Sequence, residues 1–141
     1  MASTASKGFT AEEKAAMRAT AKEHKAQATK EDGERAVREA LAGMDDADRA
    51  LGERLHAIIT AAAPALAPRT YYGMPAYANA DGKVVCFYRN ARKFNERYGT
   101  LGFNDVARLD DGTMWPNGYA LTELSDADEE MIAKLVKRAV G

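Results

Sequence analysis

The hydrophobic period of this chain changes once, at Ala63-Pro64, and that change limits the folds open to it. Before it, Leu51, Leu55, Ile58, Ile59 and Ala62 recur at helical spacing, an inward-facing stripe that Pro64 ends. After it, Val84-Val85-Cys86-Phe87-Tyr88 is an almost unbroken apolar run of strand length, as expected of a central strand covered on both faces. Helices first, strands second and a closing helix predict an α+β fold. Its sheet is an antiparallel meander of about four or five strands, with N-terminal helices and a C-terminal helix packed on it.

Local signals place the elements. Thr10 with Glu13 is a capping-box pair that opens a first helix near Ala11, running to about Thr29 with little apolar surface beyond Met17. A second helix reads from about Asp32 to Ala42, with Val37 and Leu41 at i,i+4 spacing and Gly43 as its stop; a third begins after Asp45 or Asp46. Asn79-Ala80-Asp81-Gly82 supplies hairpin chemistry ahead of Val84–Tyr88. Phe94 to Leu101 and Gly118 to Leu121 read as later strands. Ser125 caps a final helix with acids in its first turn and Lys134, Lys137 and Arg138 towards its end. The whole, residues 1–141, reads as one domain, with a flexible start at 1–8, a helical part at 11–63 and the sheet plus last helix at 69–141.

Composition narrows the function classes. The 141 residues carry 20 Lys and Arg against 21 Asp and Glu, so no global positive charge recommends nucleic acid or an anionic membrane as partner. One cysteine, Cys86, excludes an intrachain disulfide and a multi-cysteine zinc site. No apolar stretch reaches membrane-spanning length, and no secretory core follows the first residues; a cytoplasmic protein is the expectation. Nucleophile elbows and Gly-rich phosphate loops are missing from the sequence, and Cys86 lies in an apolar strand run where thiols are inert. The reading therefore leans away from an enzyme, although carboxylates distant in sequence could still converge.

Pro64-Ala65-Leu66-Ala67-Pro68, then Tyr71-Tyr72-Gly73-Met74-Pro75-Ala76-Tyr77, then Gly82-Lys83-Val84 and the aromatic strand to Tyr88 together resemble the YdhG-like family of small bacterial proteins, a domain of unknown function. The resemblance covers roughly Leu51 to Val140. It implies an α+β fold with an antiparallel sheet and brings no fixed catalytic residues. One family member is described as a frataxin-like iron chaperone, so the resemblance implies ferrous iron as the one cofactor to consider; no other is expected.

Three candidate sites follow from the residues. Gly73 and Pro75 bend the chain and could gather Tyr72, Met74 and Tyr77 at a cleft edge, with Arg97 as polar anchor and Trp115 adding shape; the alternative is a kink feeding the first hairpin, its rings in the core. Such a cleft would take a small or anionic ligand. Lys83, Arg89, Arg92, Lys93 and Arg97 form a basic hairpin interleaved with rings. In a strand over 94–101, however, Lys93, Asn95 and Arg97 would point away from Phe94 and Tyr98, which argues against nucleic acid. Acids cluster at Glu31-Asp32-Glu34, Asp45-Asp46-Asp48 and Asp126-Asp128-Glu129-Glu130; the last set, Asp126, Asp128, Glu129 and Glu130, is the candidate for weak iron binding, though helix starts favour carboxylates without a metal. His24 and His56 lack ligand spacing, and His56 is expected to be a partly buried hydrogen-bonding residue. The function expected is that of a binding module. Alternatives are an iron donor, or an interaction module that docks or forms a homodimer through its first helix.

Overall fold

A computed structural model describes residues 10–15, 17–18 and 29–141. Thr10 and Glu13 form the expected capping box, each side chain accepting the other's backbone N–H at 3.0 and 2.9 Å. Residues 11–15 and 17–18 are helical; most of the helix expected to reach Thr29 lies outside the described residues, as do residues 1–8 and His24.

Helix α1, Lys30–Ala42, starts ahead of the expected Asp32 because Thr29 caps it, accepting from the Asp32 N–H. Val37 and Leu41 are buried as their spacing requires. Helix α2, Asp46–Ala62, opens on Asp45, whose carboxylate accepts from the Asp48 N–H. Leu55 and Ile59 reach the core, and Leu51, Ile58 and Ala62 pack partly buried against it. Helix α3, Asp126–Val140, carries the full capping box of Ser125 and Asp128. The two bonds to Ser125 hold the Asp128 carboxyl below its ordinary range. None of the described helices is long and apolar enough to cross a membrane.

Five strands follow one another in space as in sequence: β1 (Ala67–Tyr71), β2 (Met74–Ala78), β3 (Val84–Arg89), β4 (Gly99–Phe103) and β5 (Gly118–Leu121), all antiparallel. The α+β meander is thus as the sequence implies. Its inner face carries Tyr77, Cys86 and Phe103 in one cross-strand row and Tyr88 beside Leu101 and Tyr119 in the next. With Leu55, Ile59 and Val136 these residues form the core, each fully buried aliphatic side chain worth about 1.5–3 kcal/mol in transfer terms. The Tyr88 hydroxyl donates to the Asp48 carbonyl at 2.9 Å, which satisfies the one polar atom of that ring inside the core.

The strand expected over Phe94–Leu101 is corrected. Residues 91–98 form a compact turn, closed by the Glu96 N–H donating to the Ala91 carbonyl, with Asn95 in the left-handed region at φ 55°; β4 starts only at Gly99. The alternation argued for Lys93, Asn95 and Arg97 therefore has no strand to act on.

Helix α1 meets the sheet through Gly33. A Cβ there would stand 1.9 Å from the Pro68 carbonyl oxygen, so only glycine allows this approach. In an open helix Gly→Ala stabilises by about 1 kcal/mol. Here Gly33→Ala is expected to destabilise by about 1–3 kcal/mol, because α1 must lift from β1. Urea unfolding followed by circular dichroism reads the sign directly; a raised midpoint would show that the helix yields freely.

Candidate binding groove on the outer sheet face

Strands β1 and β2 are joined by a two-residue turn, Tyr72-Gly73, with both residues at positive φ (52° and 78°), flanked by the Tyr71–Met74 pair. This is the primed geometry that matches the twist of a hairpin, and a tyrosine is an unusual occupant of it. It presents the Tyr72 ring to solvent, 47% exposed, edge-on to Tyr71 at 4.7 Å between centroids. Tyr71 in turn lies 5.9 Å from Phe87. Phe87 covers Gly102, where a Cβ would collide with the ring.

Register places Arg69, Ala76, Phe87 and Gly102 in one row on this outer face, opposite the row that holds Tyr77. Arg69 of this row also lines a groove of about 760 Å³, together with Tyr71, Tyr72, Lys83, Asp105 and Met17 of the N-terminal helical segment among others. Arg69 spans the hairpin to donate to the Gly82 carbonyl at 3.4 Å. Lys83 is set in place because the Asn79 side chain accepts from both the Asp81 and Lys83 N–H groups at 3.0 Å. Its ammonium makes no ion pair among the described residues. Two cations and two neighbouring phenol rings thus line one open groove.

The five residues expected to share a cleft are distributed differently. Tyr72 alone of them lines this groove. Met74 is buried in β2 at 6% exposure, Arg97 is exposed in the 91–98 turn, and Trp115 stands in the loop before β5. Tyr77 points to the opposite face. The physical reason is the tight turn: after Tyr72-Gly73 the strand alternation restarts, and Tyr77 pairs with Cys86 on the helix side.

There Tyr77 ends a hydrogen-bond chain that links three elements. His56 Nδ1 lies 2.8 Å from the Tyr77 hydroxyl, His56 Nε2 lies 2.9 and 3.0 Å from the two oxygens of Glu34, and Arg38 pairs with Glu34 at 2.7 Å. A carboxylate only accepts, so Nε2 carries a hydrogen, and a ring with Nδ1 unprotonated accepts there from the Tyr77 O–H. Burial raises the Tyr77 phenol above its ordinary range, with Cys86 and Glu34 adding to the effect, which keeps it a donor. Burial also pushes the Cys86 thiol up to about 12, in keeping with an inert packing residue. His56 is the hydrogen-bonding residue expected; its partner Glu34 sits in a run that the sequence offered as an acid cluster at a helix start.

Several of the other clustered acids have partners too. Asp45 caps α2, and Asp46 pairs with Arg49. Asp128 caps α3, and Glu129 is gripped by both Nε and Nη2 of Arg54. Among the described residues no three His, Cys, Asp or Glu side chains group as a metal site.

Tyr77→Phe removes only the hydroxyl and leaves His56 Nδ1 facing an apolar ring edge. A loss of about 1–3 kcal/mol in unfolding free energy is expected from chemical denaturation. An unchanged midpoint would mean that solvent reaches His56 and the chain of bonds contributes nothing.

Compared with protein-family models, curated proteins and solved structures, the chain finds no match in any of the three.

Proposed function

We propose that this protein is a binding module for a small anionic ligand with a flat apolar body, held in the outer groove of the sheet. The observation that carries the reading is the convergence of Arg69 and Lys83 with Tyr71 and Tyr72 on one groove. A guanidinium and an ammonium suit a carboxylate or phosphate, and tyrosine rings offer apolar area with little entropy to lose. The groove is within the volume range of small-molecule sites, and its cations are Arg69 of β1, bonded to the Gly82 carbonyl, and Lys83 of a turn fixed by the Asn79 side chain.

Among the described residues no acid or base in the groove is paired with a nucleophile, and the reading proposed is retention of a ligand rather than turnover. Asp105, also in the lining, adds an acceptor for a hydroxyl or amine on the same ligand.

Titration with 2-naphthoate, followed by backbone amide shifts, tests this. Saturable shifts are expected at residues 69–72 and 82–84, and Lys83→Ala is expected to weaken the carboxylate about tenfold while leaving the neutral 2-naphthalenemethanol unaffected. Equal weakening of both probes, or no saturation, overturns the reading.

A further inference from the structure

The correction at residues 91–98 removes the argument that kept rings and cations apart, and the geometry that replaces it brings them together. The Arg89 guanidinium lies 3.9 Å from the centroid of the Phe94 ring, Lys93 Nζ lies 5.4 Å from the same ring, and the Arg97 guanidinium lies 5.3 Å from that of Tyr98. All are within cation–π reach.

The turn is held before any partner arrives. The buried Asp48 carboxylate accepts from the Arg92 N–H at 2.9 Å and from the Asn90 side chain at 3.2 Å. Arg89 is paired with Glu96 at 2.7 Å, and Arg92 with Asp45 at 3.3 Å. Those two cations therefore already have carboxylate partners. Lys93 and Arg97 are different: neither forms an ion pair among the described residues. The Lys93 ammonium lies against Gly73, next in the chain to the exposed ring of Tyr72, and Tyr98 is 36% exposed. Along one end of the sheet the surface thus offers two unneutralised cations, each next to an exposed tyrosine.

We propose that this turn binds single-stranded nucleic acid, with Lys93 and Arg97 on phosphates and Tyr98 under a base. Charge alone would suit an acidic protein surface equally well. The exposed rings decide between them, because base stacking uses an aromatic face that an acidic peptide leaves unused. A duplex is a poor fit: its bases are already stacked, and a short turn with two free cations has few contacts for its backbone. The overall charge of −1 confines the attraction to this patch and makes it salt-sensitive.

Fluorescence anisotropy with a labelled oligothymidylate of about 12 nucleotides, at several salt concentrations, is the test. Saturable binding is expected at low salt. Lys93→Ala and Arg97→Ala should each weaken it and make the logarithmic salt slope shallower by about 0.7. Tyr98→Ala should weaken it about tenfold with the slope unchanged. Lys83→Ala, which reports on the outer groove, should leave it intact, so this proposal and the groove reading fail separately. All four side chains are exposed, and unchanged thermal melts confirm that the variants fold. No saturable binding at low salt overturns the proposal. So does a Tyr98→Ala variant that binds as tightly as the parent, or equal displacement by polyglutamate, either of which would assign the patch to an acidic protein partner.

Discussion

One carboxylate joins the two layers of this protein. Asp48 stands in the first turn of α2, only 9% exposed, and it serves three groups of a neighbouring strand and turn. Its backbone carbonyl takes the Tyr88 hydroxyl, and its side chain takes the Asn90 amide and the Arg92 N–H. A buried charge is tolerable only when such donors surround it and a helix N-terminus lies beside it. The arrangement sets the height of α2 above β3 and the path of the chain as it leaves the sheet. Asn90 bears part of the cost, since its Oδ1 has no hydrogen-bond partner among the described residues.

The two faces of the sheet divide the work that follows. On the inner face polar atoms are satisfied within the fold, by the chain Tyr77–His56–Glu34 and by the bond of Tyr88 to Asp48. The outer face keeps Arg69, Lys83 and the Tyr71–Tyr72 pair along a groove. A tyrosine's position in the alternation decides its surroundings: Tyr77 is buried and hydrogen-bonded, whereas Tyr72 in the turn is exposed.

Caps and apolar periods were legible in the sequence because they are local. Thr10 with Glu13, Asp45, and Ser125 with Asp128 each act within one helical turn, and Val84–Tyr88 announces itself by burial on both faces. The turn over residues 91–98 was not legible as such. It is closed by backbone bonds and by Asn95 at positive φ, while its alternating charges and rings imitate a strand. Partnerships distant in sequence were also out of reach: His56 finds Tyr77, and Arg54 finds Glu129, only once the helices cross the sheet. Arg69 went unnoticed as a groove residue, although register supplies the signal. Opposite Ala76 and then Phe87, it falls on the face that Tyr77 does not share.

The order of the strands has a consequence for how the chain reaches this state. Every strand pairs with the one made just before it, so the sheet grows by successive hairpins and demands no crossover. Loop closure costs rise with the length of chain between partners, and rates fall as contacts become more distant in sequence. Two-residue closure at Tyr72-Gly73 and the Asn79–Gly82 turn make β1–β3 the inexpensive beginning. Residues 104–117 separate β4 from β5, which makes the last strand the latest and slowest to join. During synthesis the ribosome would thus release a nucleus whose β4 edge stays open until Gly118–Leu121 emerges and α3 docks behind it.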